Sequence, residues 1–250
     1  MQIDHLYRYP VKGLTAEALE AVDLSPGQAL PWDRAFALAQ GDAPFDPAQP
    51  AWLPKHHFMC LMRNARIATL RSTFDDRSGV MTLIAPDGAM LQAHALSPAG
   101  RAQIAAWLTA FLGDEARGTP VLHHTPGHVF GDMRGQVISL INQASLHALE
   151  AAVGARRHKR RFRANIWFSG VPAWAEHDWL GQDLLVGGAR LRVTRRIPRC
   201  KATEVNPITA DRDADPVEEL RAAFGHVDLG VYAEVLEGGR IAMGDAIELV

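Results

Sequence analysis

Over its first ninety residues the chain alternates short apolar-rich stretches with clusters of turn formers: IDHLYRYPV, EAVDL, RAFALAQ, MCLM, ARIATL, GVMTLIA and AMLQA are set among SPGQ, GDAPFDPAQP and APDG. Brief apolar runs bounded by Gly, Pro and Asp read as strands, because proline fixes φ and glycine admits positive φ where the chain must turn tightly. Packed together they predict a small β-barrel or sandwich. The period then changes. Ser97 stands as an N-cap before Pro98, Ile104, Trp107, Leu108 and Phe111 recur at helical spacing, and Gly113 supplies a stop. A second helix is predicted from about Gln143 to Val153, capped by Asn142, with Leu146, Leu149 and Val153 on one face and Gly154 ending it. Strand patterns return in NIWFSG, DLLVG, ARLRVTRRI, VYAEVLE and AIELV. A short helix opens near Asp215-Pro216, where Asp215 and Glu218 form a capping-box-like pair. The pattern predicts a mainly β protein with peripheral helices, a β-rich α+β class, built as two β-barrel-like domains over residues 1–118 and 119–250.

Composition narrows the class. With 250 residues, 48% hydrophobic and 22% charged, the chain matches soluble globular proteins and excludes disordered, collagen-like and coiled-coil sequences. Twenty-six Lys and Arg against 28 Asp and Glu leave a net charge of -2, which gives nucleic acid or an anionic membrane no support from the total; any basic site is local. Two cysteines, Cys60 and Cys200, cannot build a disulfide scaffold, and MQIDHLYRYPVKG lacks the basic-then-apolar run of a signal peptide. A reducing cytoplasm is therefore the expected location. No apolar stretch reaches the roughly 18 to 20 residues that span a bilayer.

Candidate chemistry is concentrated at few places. RRHKRRFR, Arg156 to Arg163, puts six Arg or Lys into eight positions. That run reads either as a solvated loop or, because it enters the apolar segment FRANI, as a source of inward arginines for a small phosphorylated ligand. His56-His57 and His123-His124, with His128, have poor spacing for a zinc shell, since adjacent side chains on a strand face opposite ways. Neither a GxSxG elbow nor a P-loop motif is present. Cys60, in HFMCLM, reads as core. Cys200 differs: in IPRCKAT it lies between Arg199 and Lys201, where cations favour thiolate, so it reads as a ligand or nucleophile or as a structural residue.

Taken in order, several segments resemble the MOSC family, in particular its two-domain branch, which includes the mitochondrial amidoxime-reducing component. The resemblance runs through YPVKG at Tyr9–Gly13, WDRAFAL at Trp32–Leu38, SLINQASL at Ser139–Leu146, FRANI at Phe162–Ile166, AEHDW at Ala175–Trp179, IPRCKATEVNPIT at Ile197–Thr209, and the closing GVYAEV and GDAIEL. It implies a MOSC N-terminal β-barrel joined to a MOSC barrel, with a molybdenum cofactor in the cleft between them. Cys200 matches the metal-ligating cysteine, and thiolate is a soft ligand suited to that metal. Lys12 and Arg34 match positions that contact the pterin and its phosphate; Arg163 and Asn165 match the Arg and Asn of FRPN. Arg199 and Thr203 flank the ligand, and Asn142 stands where the family has a polar residue near the site. Gly13 replaces a serine common in relatives, Ala164 replaces the proline of FRPN, and AWLPKHHF, with Lys55, occupies the place of a TAR-type segment.

The function so implied is reduction of N-hydroxylated compounds such as amidoximes, hydroxylamines and N-hydroxylated bases. Asp132, in FGDMRG, is the expected proton donor. Two cysteines are too few for an iron–sulfur cluster, so electrons are expected from a separate ferredoxin or flavin reductase. The family's general descriptions also include pyridoxal phosphate binding. A non-catalytic carrier of molybdenum cofactor or its sulfur would use the same Lys12, Arg34, Arg163 and Cys200, and a metal-free binder of a phosphorylated ligand is a third reading.

Overall fold

The computed structural model describes residues 1–250. Fifteen strands and three α-helices form it, so the protein is strand-rich with helices at its edges. The largest sheet has eight strands, ordered β15-β11-β12-β13-β9-β10-β1-β2. Its members are β1 (Gln2–Arg8), β2 (Glu17–Leu19), β9 (Ile138–Asn142), β10 (Ile166–Ser169), β11 (Asp183–Val186), β12 (Ala189–Pro198), β13 (Asp228–Glu237) and β15 (Ile247–Leu249). Every pairing is antiparallel except β9 with β10. That parallel pair is joined through α2 (Gln143–Val153), since a parallel connection must cross over.

Three smaller sheets complete the chain. β3 (Ala21–Leu24) pairs with β14 (Gly239–Ala242), β4 (Phe36–Ala39) with β8 (Val121–His124), and β5 (Arg71–Asp75), β6 (Val80–Ile84) and β7 (Met90–His94) form a meander. One core gathers Phe36, Leu70, Leu83, Ile104 and Leu108. Another gathers Leu6, Ile166, Phe168, Leu184 and Val231. The sheets cross the division at residue 118: β1 and β3 pair with strands of the 119–250 half, β2 joins the large sheet through β1, and β8 pairs back into the first core. The physical reason is burial on both sides: Ile3 and Leu6 of β1 are fully enclosed by the second core.

Local chemistry sets the helix ends. Ser97 accepts from the Gly100 amide at the start of α1 (Pro98–Leu112), and Asn142 Oδ1 accepts from the Ala144 amide at the start of α2. α3 (Pro216–Phe224) starts at Asp215, which accepts from the Glu218 amide, but the side chain that reaches back to the Asp215 amide is Glu219, not Glu218. ARIATL, read as a strand, is a 3-10 helix over Ala65–Thr69. MCLM is likewise an irregular turn, closed by bonds from the Arg63 and Asn64 amides to the Cys60 carbonyl.

Candidate functional site

A cavity of about 260 Å3 takes its wall from both halves of the chain. Lys12 and Gly13 enter it directly after β1. Gly13 has φ +87°, and a Cβ there would stand 2.8 Å from Ile67 Cδ1, so the tight reversal takes glycine. Lys12 is buried; its Nζ donates to the Phe130 carbonyl at 2.9 Å and to Asp132 Oδ1 at 2.5 Å.

Arg34 and Arg163 both hold φ +52°, a left-handed conformation that L residues adopt at a cost. The surroundings fix it. The Arg34 amide donates to the Tyr9 carbonyl, its guanidinium pairs with buried Asp33, and Asp33 Oδ1 in turn accepts from the Tyr9 amide at 2.8 Å. Arg163 Nη1 donates to the Leu14 carbonyl at 2.6 Å. The Tyr9 ring lies against both guanidinium groups, 4.4 Å from Arg34 Cζ and 4.3 Å from Arg163 Cζ. Burial raises the Tyr9 phenol to about 12, so that ring stays neutral.

On the opposite wall, β12 ends at Pro198 and leads into Arg199 and Cys200. The Cys200 carbonyl accepts from both the amide and the hydroxyl of Thr203, each at 2.9 Å, so Thr203 shapes the cysteine turn. Half-buried Cys200 lines the cavity, and Lys55 Nζ lies 3.1 Å from its Sγ. Arg199 donates to the Phe162 and Leu229 carbonyls, while its Nε is buried with no partner.

Of the sequence-derived residues, Lys12, Gly13, Arg34, Asp132, Arg163, Asn165, Arg199, Cys200 and Thr203 line the cavity. Asn142 does not: it caps α2 and donates to the Pro172 carbonyl and Glu176, fully buried. Asn165 reaches the wall, but its Oδ1 accepts from the Ser139 amide and hydroxyl and its Nδ2 donates to the Tyr7 carbonyl, so it ties β9 to β1. Asp132 corrects an expectation. Although burial pushes its carboxyl up, the ammonium groups of Lys12 and Lys55 outweigh this and hold it well below the usual carboxylate range. Ionised at neutral pH, it is a counter-ion and holds no proton to donate.

Asp33, Lys55, Arg161 and Tyr232 also line the cavity and were not assigned from sequence. Lys55 was signalled only by its place in AWLPKHHF; Tyr232 lies within GVYAEV without a distinguishing pattern. The basic run divides by contact: Arg157 pairs with Glu219, Arg161 holds the Thr203 and Glu204 carbonyls together with Asp213, and only its end, Arg161 to Arg163, reaches the cavity. Cys60 is buried as expected, and burial raises its thiol, yet it also touches the cavity wall.

Six Lys or Arg face two Asp around this space. Lys12, Arg34, Lys55 and Arg161 have carboxylate partners; Arg163 and Arg199 have only carbonyls. Desolvation pulls both of these down to about 10, still charged at neutral pH. Uncompensated buried charge is costly, and an anionic group in the cavity offsets it. A soft sulfur beside anion-binding guanidinium groups is the donor set that a phosphorylated pterin carrying a thiophilic metal requires.

Family models match both halves of the chain. The MOSC domain model matches residues 123–248, half of the chain, and the MOSC N-terminal beta barrel domain model matches residues 1–115. The chain belongs to the MOSC family. Among curated proteins it is 29% identical over 123 residues to mitochondrial amidoxime-reducing component 1 of Mus musculus, covering 44% of this chain and 36% of that one. It is 35% identical over 123 residues to mitochondrial amidoxime reducing component 2 of Rattus norvegicus, with the same coverage of both chains. It is 27% identical over 158 residues to molybdenum cofactor sulfurase of Danio rerio, covering 52% of this chain and 18% of that one. The matched region thus spans well under half of the length of these relatives.

Proposed function

We propose that this protein binds a molybdenum cofactor in the cavity and reduces N-hydroxylated small molecules, with electrons from a separate redox protein. The observation that carries the reading is that Cys200 lines the same cavity as Arg163 and Arg199, two guanidinium groups without a carboxylate partner. Lys12, Arg34, Arg163 and Arg199 would hold the cofactor's anionic groups and Cys200 its metal. When bound, the cofactor supplies two-electron oxygen-atom transfer. The chain's own part is electrostatic and positional: Tyr9 and Asp33 keep Arg34 in place, Thr203 sets the cysteine turn, and Asp132 balances Lys12 and Lys55. Lys55 Nζ, rather than Asp132, is the proton-bearing group beside the Cys200 sulfur. A ferredoxin or flavin reductase suits the role of electron donor.

Expression in a host that makes the cofactor tests this. Wild type is expected to carry molybdenum and to consume an amidoxime with an artificial electron donor, and Cys200→Ser to lose most of both. Equal molybdenum in the two proteins would overturn the assignment. Similarity to a molybdenum cofactor sulfurase favours a second reading, a cofactor or sulfur carrier; that protein would load and pass on the cofactor without turnover.

A further inference from the structure

Lys55 is held on the cavity wall in a way that the anchoring of a ligand does not require. It comes from the short 3-10 helix Lys55–His57, in the first half of the chain, and reaches across to the cysteine turn of the second. Its Nζ stands 3.1 Å from Cys200 Sγ and 3.6 Å from Asp132 Oδ2. Asp132 also accepts from Lys12, so one carboxylate orients two ammonium groups. The Lys55 side chain is only 28% exposed, which limits competition from water for these contacts.

An ammonium group carries three N–H donors, and a thiolate sulfur has more than one lone pair. Lys55 can therefore keep its N–H···S hydrogen bond while the same sulfur ligates a metal. Hydrogen bonds and positive charge at a ligating sulfur withdraw electron density from it and stabilise the reduced, more negative state of the centre. Groups that touch ligands rather than metals adjust affinity and potential in this way.

We propose that Lys55 is a positioning residue that sets the reduction potential of the metal held by Cys200, raising it through the N–H···S contact so that a weaker electron donor suffices. The inference rests on the molybdenum reading above. It assigns a task to a lysine from a segment that departs from the family pattern, and it makes Asp132 the group that aims that lysine.

The test is a redox titration of the molybdenum-loaded protein, following the Mo(V) signal by electron paramagnetic resonance, with metal content measured on the same samples. Lys55→Met is expected to retain wild-type molybdenum and to become about tenfold harder to reduce, which for a one-electron couple is about 59 mV. Lys55→Arg keeps charge and donors and is expected to stay close to wild type. An unchanged potential in Lys55→Met overturns the proposal, as does an equal fall in both variants. Loss of molybdenum from Lys55→Met also overturns it, because Lys55 would then hold the cofactor instead of tuning it. Wild type without molybdenum would overturn the underlying reading instead, which separates the two failures.

Discussion

Arg34 donates through Nη2 to the main-chain carbonyl of Arg163, 2.9 Å away and 129 positions further along the chain. Both residues sit at φ +52°, and both press against the ring of Tyr9. The two halves therefore meet through a stack of guanidinium, phenol and guanidinium, steadied by Asp33 beneath it. Such strained backbone persists only where the surroundings over-determine it.

Asp33 is the first place to test that stack. It is buried, pairs with Arg34 and accepts from the Tyr9 amide. Asp33→Ala leaves a largely buried guanidinium without its carboxylate, holding only the Arg163 carbonyl, and breaking a buried ion pair typically costs about 3 to 5 kcal/mol. Urea unfolding is expected to show a loss of that size. A loss below about 1 kcal/mol would mean that Arg34 finds another partner.

Gly13 explains a departure from the family pattern. Its φ of +87° disfavours any side chain, and an added Cβ would meet Ile67 Cδ1 at 2.8 Å and the Met59 carbonyl at 3.2 Å. Gly13→Ser is expected to lower stability by about 2 to 5 kcal/mol, the sum of left-handed strain and overpacking. Adding Ile67→Val should restore part of it, measured in the same denaturant series.

Arg212 binds the cysteine turn to the first half. Its Nη2 donates to the Leu61 and Met62 carbonyls, and its Nη1 to the Lys201 carbonyl and Glu204. Arg212→Ala removes charged hydrogen bonds worth about 1.5 to 3 kcal/mol. Hydrogen exchange is expected to speed up at Thr203 and Val205, whose amides close the turn; unchanged protection there would show that the turn holds itself.

His177 gives the protein an acid-sensitive point away from the cavity. It is 5% exposed with Nε2 unpartnered, and burial, reinforced by the charges of Arg196 and His226, lowers it from 6.5 to about 4. The unfolded chain takes up the proton first as the pH falls. Its contribution is therefore complete above pH 6.5 and lost between 6.5 and about 4, at up to about 1.4 kcal/mol per pH unit. Unfolding at pH 7.5 and 5.0 should show this slope in wild type and a shallower one in His177→Gln.

Local signals in the sequence carried local structure well. Ser97, Asn142 and Asp215 mark helix starts because a side-chain cap acts within three residues, and the alternation in GVMTLIA and AMLQA marks β6 and β7. ARIATL failed because an apolar run of that length is equally compatible with a 3-10 turn once Ile67 and Ala68 alone need burial. Long-range features were illegible for a different reason. Nothing near IDHLYR announces that its partner is IWFS, and nothing near Lys55 announces Cys200, 145 positions away. Asn142 shows the converse: a polar residue beside a recognisable motif can be spent wholly on a helix end.

The placement of β1 has a consequence for how the chain acquires its shape. β1 finds its antiparallel partner, β10, only after Ser169 has been synthesised, while β2 pairs along its other edge from Leu6 to Arg8. On the ribosome the meander and α1 can close early, while residues 2–8 wait with their apolar face unclaimed. A fragment cut between the two family-model regions would strand β1 on one piece and leave β10 with a bare edge on the other.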